Sequence, residues 1–278
     1  GIWLWTYLYN FKDIFNHILG WKMAESPFFT HLWSLALEEQ FYVFFPFLIY
    51  FVRGKALKIT IVAMIIIPFI TRIIGYPYLA TIAEANNYGH DWAILNIYRN
   101  FFFQFDSLAL GAAAAIFNVK DFKNPRIYLY GIFAVLVGLY IYNGYSFMSI
   151  VYQESTAHVP EIFKNGQQSS FWGYINILGH PEFLKDNYQY IYMFTLVNLA
   201  SFFMIVCSVQ GRSVFRFIFE NDVFVYLGKI SYGTYVFHFA YMQFFFFVAK
   251  KFNLVPPSGH LYWLQIVLFV IYVTTLYF

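Results

Sequence analysis

Residues 31–52 read HLWSLALEEQFYVFFPFLIYFV, a polar and aromatic entry with two adjacent carboxylates, Glu38 and Glu39, that runs into an apolar stretch from Val43 to Val52. A carboxylate at the centre of a bilayer helix costs about 2.5–3.5 kcal/mol on insertion scales, so one retained at depth marks a candidate functional site. The stretch predicts a membrane helix over Ser34–Val52. Pro46, which lacks an N–H and crowds the preceding turn, is expected to bend it.

Composition extends this reading to the whole chain. Of 278 residues, 60% are hydrophobic, 25% aromatic and only 11% charged, against about 25% charged in a soluble domain. So few charges exclude a large soluble globule and point to an all-α polytopic membrane bundle. Spans of about 20 apolar residues fall at Ser34–Val52, Ala56–Gly75, Asn100–Phe117, Ile127–Tyr145, Tyr190–Val209, Phe224–Ala249 and Leu261–Phe278. Gly1–Asn10 reads as the tail of an earlier one, giving seven helices and a partial one in a single membrane domain over 1–278. Gly228 and Gly233 are expected to bend the first turns of Phe224–Ala249. The lone Cys207 excludes an intrachain disulfide. The start shows no basic n-region, and both ends fall inside apolar runs.

Charge sets an orientation. By alternation, segments 53–58, 120–126 and 210–229 share one side and carry a net +6, whereas 11–31, 72–99, 146–189 and 250–260 share the other and sum to zero. The basic side is the expected cytoplasmic face. On this count, with Arg72 assigned to an outer segment, the charges well inside predicted spans are Glu38, Glu39 and Asp106. The long segment 146–189 is polar and aromatic, suited either to a lid or to a connector. There is no metal-ligand cluster, and no basic surface interleaved with aromatics of the kind nucleic acid requires.

Three constellations carry chemistry. On the first helix, His31, Leu35, Glu38 and Tyr42 fall within a 60° arc at 100° per residue, with Ser34 beside it and Trp33 on the far side. An imidazole, a carboxylate and a phenol on one stripe suit proton transfer or the binding of a hydroxyl-rich molecule. Acidic residues near a helix N-terminus are also stabilised by the helix dipole by about 0.3–1 kcal/mol, and Trp33 suits an interfacial anchor. In the second constellation, QFDSLALGAAAA (Gln104–Ala115), Asp106 stands above a small-residue run that permits close helix packing. Arg99, seven residues earlier, lies on the same face, and a structural hydrogen bond to a neighbouring helix serves Asp106 equally well. In the third, LGKISYGTYVFH (Leu227–His238), Ser231, Tyr235, His238 and Met242 share a stripe, and His238 is expected near mid-membrane.

In this order and spacing the three stretches resemble the acyltransferase 3 family of bacterial multi-span membrane proteins. HLWSLALEEQFYVFFP resembles the family pattern H-x-W-S-L-x-x-E-x-Q-F-Y, QFDSLALGA stands where R-x-D-x-L-x-x-G is usual, and LGKISYGTYVFH is similar to L-G-x-I-S-Y-x-x-Y-x-x-H. The resemblance implies part of a ten-helix-type fold in the bacterial inner membrane. It implies an enzyme that moves an acetyl or similar group from acyl-CoA, acetyl-CoA foremost, to a hydroxyl of a cell-surface or exported glycan, without a permanently bound cofactor. Membrane lipid, acyl-CoA and a glycan acceptor are then its partners. Glu38 and His31 take catalytic roles. Trp33, Ser34 and Tyr42 bind substrate, Arg99 and Asp106 line the cavity, and Ser231, Tyr235 and His238 shape the inner-side donor path. The alternative is a glycan or lipid-linked sugar transporter, or an inactive scaffold subunit. Two departures stand out. The family's usual catalytic His, about ten residues after an Arg on its first helix, has no counterpart here, and the expectation is that this sequence lacks the N-terminal helices. Gln104 replaces the usual Arg and so removes a cation beside Asp106.

Overall fold

The computed structural model describes residues 6–21, 30–88, 91–155, 188–211 and 214–251. The described residues form helices and no strands. They group into two compact units, Leu37–Phe215 and the pair of segments Gly1–Ala36 and Arg216–Phe278.

Helix α1 (Lys12–Leu19) follows a 3-10 turn at Tyr9–Phe11 and ends at Gly20, whose φ of +64° gives the left-handed cap that glycine adopts without strain. The described part of the expected remnant Gly1–Asn10, residues 6–10, forms this turn and its approach. Helix α2 (Trp33–Phe51) continues through Pro46. Helix α3 (Gly54–Ala85) is ten residues longer at its C-terminal end than the expected Ala56–Gly75, and it carries Pro68 and Pro77 without interruption. Then come α4 (Trp92–Arg99), α5 (Phe101–Ile116) and α6 (Pro125–Ser155), followed by α7 (Gln189–Val209), α8 (Val214–Phe219) and α9 (Asp222–Lys251). Helix α6 runs ten residues past Tyr145, so the expected loop 146–189 begins as helix. Helix α9 passes Gly228 and Gly233 unbroken. The expected span Leu261–Phe278 lies outside the described residues.

In the larger unit, α3 packs most extensively on α5, and α7 packs on α6 and α5. The buried positions of α3 (Ile61, Met64, Pro68, Arg72, Leu79 and Ala83) recur at the three- to four-residue helical interval, forming one stripe. At one end they join Phe41, Phe105, Ala109, Leu110, Ala113, Phe202 and Val206 in an apolar core. At the other, Leu79 packs with Ile94, Ile97, Tyr190, Met193 and Phe194. The small-residue run contributes through Ala109 and Ala113, while Gly111 faces open space. At Gly75, α3 lies tight against a side chain of α5: an added Cβ would lie 2.6 Å from the Phe103 ring.

Among the described residues, three helices are long and apolar enough to cross a membrane: α3, α6 over Pro125–Tyr145, and α7. Helix α5 falls short at 16 residues, about 24 Å at 1.5 Å per residue. Its chain is interrupted from α4 at Asn100, where the backbone turns extended.

Candidate active site

In the smaller unit, two stretches about 200 residues apart meet. The 3-10 turn Thr30–Leu32 leads into α2 and presents His31, which is 7% exposed. Its Nε2 lies 3.2 Å from the Val236 carbonyl on α9. A carbonyl only accepts, so in the neutral ring the proton sits on Nε2 and the lone pair on Nδ1. Tyr235 donates its hydroxyl to the His31 carbonyl at 2.7 Å. With that proton committed, the Ser34 hydroxyl is the donor in its short contact with the phenol oxygen. His238 is fixed by its own helix, with Nδ1 against the Tyr235 carbonyl, which leaves the lone pair on Nε2. The His31 and His238 rings meet edge to face with centroids 4.7 Å apart, and Tyr235 packs on both at 5.4 Å.

Burial holds the His31 imidazole below its ordinary titration range, the nearby His238 adding to the effect and the bond to Val236 opposing it. Near neutrality the ring is therefore an uncharged acceptor rather than a cation. His238 was expected to shape the inner-side donor path with Ser231 and Tyr235. It sits sixteen residues into α9, about 24 Å along the helix, against a residue at the start of α2. Ser231 stays out of this cluster: it is exposed and bonds only within its own turn, to Gly228 at 2.8 Å. Trp33 is partly buried.

The larger unit holds a second polar centre. Arg72 on α3 is fully buried and its Nη2 lies 2.7 Å from Asp106 Oδ2 on α5. The same nitrogen reaches Thr195 Oγ1 on α7 at 2.9 Å, and Nη1 reaches the Phe103 carbonyl at 3.1 Å. The guanidinium also lies over the Phe194 ring at 5.3 Å. One side chain thus ties three helices together around a carboxylate that is 1% exposed. Thr71, next in sequence, bonds the Phe102 carbonyl at 2.9 Å.

Arg72 corrects two expectations. It lies in the interior of α3, inside even the expected span Ala56–Gly75, and not in the outer segment 72–99 with which its charge was counted. It also supplies a cation beside Asp106, where the replacement of the usual Arg by Gln104 was expected to leave none fixed. The sequence signal was the interval 61-64-68-72, in which Arg72 occupies the next buried position after Pro68. Glu38 is half-buried on α2 within the larger unit, whereas Tyr42 is 58% exposed. Arg99, the last residue of α4, is partly buried. Among the described residues, no group of three or more His, Cys, Asp or Glu side chains is arranged to hold a metal.

The first and third motifs thus share a two-histidine cluster, and the second carries an ion-paired aspartate. The chain belongs to the acyltransferase 3 family: the family's acyltransferase domain matches residues 1–278. Curated relatives from Staphylococcus aureus strains COL, MSSA476 and MRSA252, provisionally named O-acetyltransferases, are each 25% identical over 225 residues. The match takes in 77% of this chain and 30% of each relative, so the chain spans under a third of their length. No solved structure matches it.

Proposed function

We propose that this chain is the membrane portion of a bacterial inner-membrane O-acyltransferase that moves an acetyl or similar acyl group from acyl-CoA to a hydroxyl of a cell-surface or exported carbohydrate. The observation that carries this reading is the His31–Ser34–Tyr235–His238 cluster. It gathers two imidazoles, each with a ring nitrogen against a backbone carbonyl, from two motifs distant in sequence, and burial keeps that of His31 uncharged near neutrality. A neutral imidazole accepts the proton of an acceptor hydroxyl as that oxygen attacks the thioester carbonyl. The C–O bond forms, the C–S bond breaks, and the proton passes to the departing thiolate. Tyr235 and Ser34 hold the cluster's geometry. Asp106 and Arg72 make the rigid frame of the larger unit, and Glu38 is a further carboxylate for acceptor recognition. The +6 sequence charge of the expected inner face suits a polyanionic donor.

The test follows labelled acetyl from acetyl-CoA into membrane carbohydrate, in cells carrying the complete gene, no gene, or the variants His31→Ala, His238→Ala and Glu38→Gln. Loss of one general base is expected to slow transfer by about 10²–10⁴-fold. Carbohydrate labelling that is unchanged when the gene is deleted would overturn the reading.

A further inference from the structure

In the larger unit a cavity of about 910 Å³ opens between the 119–127 turn and the C-terminal end of α7. Drug-sized ligands occupy cavities of roughly 300–1,000 Å³. Lys120, Lys123 and Arg126 line it, together with Gln210 and Cys207. Among the described residues the ion pairs are Lys12–Asp13, Arg72–Asp106 and Arg216–Glu220, and none involves these three cations. With Asp121 counted, the stretch 120–126 still carries a net +2.

The backbone that carries the cationic rim is held in place. Gln210, just beyond α7, donates its amide to the carbonyls of both Val119 and Phe122 at 2.9 Å, clamping the turn that carries Lys120 and Lys123. The Phe122 ring packs edge-on against Phe202 and Phe203 at 6.1 Å. Asn124 takes a left-handed φ of +53° and its carbonyl accepts from the Ile127 N–H, so α6 begins sharply at the cavity wall. Arg126 is therefore presented from the first turn of a 31-residue helix, where the N–H groups add partial positive charge. Beside the cations the wall turns apolar and outward-facing: Ile127 is 66% exposed and Val209 50%.

Three exposed cations without an ion pair among the described residues, on a clamped turn beside outward-facing apolar surface, fit one ligand chemistry. We propose that this cavity binds the phosphate groups of an amphiphilic phosphate ester. Two sources share that chemistry, the headgroup of an anionic phospholipid and the phosphate-rich head of an acyl thioester donor. The first is independent of the acyl-transfer reading, and the second rests on it.

The experiment uses the complete protein in phosphatidylcholine nanodiscs. Coenzyme A is titrated by calorimetry as the soluble probe. For the lipid probe, retention of phosphatidylglycerol is measured by native mass spectrometry from nanodiscs doped with it. The variants are Lys120→Gln/Lys123→Gln/Arg126→Gln, the milder single change Lys123→Glu, and the control Arg216→Gln, with thermal melting to verify folding. Binding of one probe should weaken by roughly fivefold per cation removed, by more than tenfold in the triple variant, and not at all in the control. Loss confined to coenzyme A assigns the donor head, and loss confined to phosphatidylglycerol assigns the lipid. The proposal is overturned if both probes bind the folded triple variant as tightly as the native protein, or if neither binds the native protein. Neither measurement requires turnover, so an inactive protein that still bound phosphatidylglycerol would defeat the acyl-transfer reading and leave this site standing.

Discussion

Arg72 has no water to fall back on: its side chain is fully buried, and its charge is answered by Asp106 at 2.7 Å, a carbonyl, a hydroxyl and an aromatic face. Taking away one partner leaves the other charged and unsolvated, which costs about 3–5 kcal/mol, whereas replacing both with apolar groups of similar volume is often nearly neutral. Asp106→Asn should therefore lower the melting temperature in detergent sharply, and Arg72→Met/Asp106→Leu should recover most of the loss. If the double variant is as unstable as the single one, the pair does more than frame three helices. His31 makes a prediction of the opposite electrostatic kind. Burial holds its pKa below the ordinary 6.5, so on acidification the unfolded chain takes up this proton before the folded one does. The stability it contributes is present above about pH 6.5 and is lost as pH falls through that value toward the folded pKa. Melting curves between pH 7.5 and 5 should show this loss, and His31→Gln should flatten the dependence.

The elements are held by a few close approaches. Gly75 lets α3 meet α5 at the Phe103 ring, with no room for a methyl group unless the ring shifts. Forced overpacking of this kind costs about 1–3 kcal/mol, so Gly75→Ala should destabilise by that amount, and Gly111→Ala, which faces open space, should not. Thermal unfolding of the two variants side by side checks the contrast. Helix α2 was readable from its sequence almost to the residue, because a polar cap followed by an apolar run leaves little choice. Helix α3 was not. Tyr76, Pro77, Tyr78 and Glu84 look like the start of a connection, but a proline's cost can be absorbed by neighbouring packing, and α3 continues to Ala85. Counting Arg72 with the outer segment 72–99, although the expected span ran on to Gly75, hid it as the cation beside Asp106. The meeting of His31 with His238 was not legible either. Each motif showed its residues on one face, yet no periodicity states which of two distant faces will touch. The resemblance gave the order of the motifs, and only the coordinates gave their pairing.

For the molecule as a whole, the apolar surface that composition foretold is present: Phe44, Phe47, Tyr50, Ile59, Ile66, Ile74, Ile127 and Val137 all project outward, as residues facing hydrocarbon would. The uneven distribution of charge was equally visible beforehand, whereas the cavity among Lys120, Lys123 and Arg126 required the fold, because Gln210 and Cys207 come from a helix some eighty residues later. One further property follows from the extent of α3. Thirty-two residues make a rod of about 48 Å, whereas the oily layer of a bilayer measures about 30 Å. The surplus must be accommodated by leaning or by standing proud of the surface. A thicker bilayer would draw the rod more upright and a thinner one would tip it over, so the choice of lipid in a reconstitution would adjust the inclination of the helix that carries Arg72.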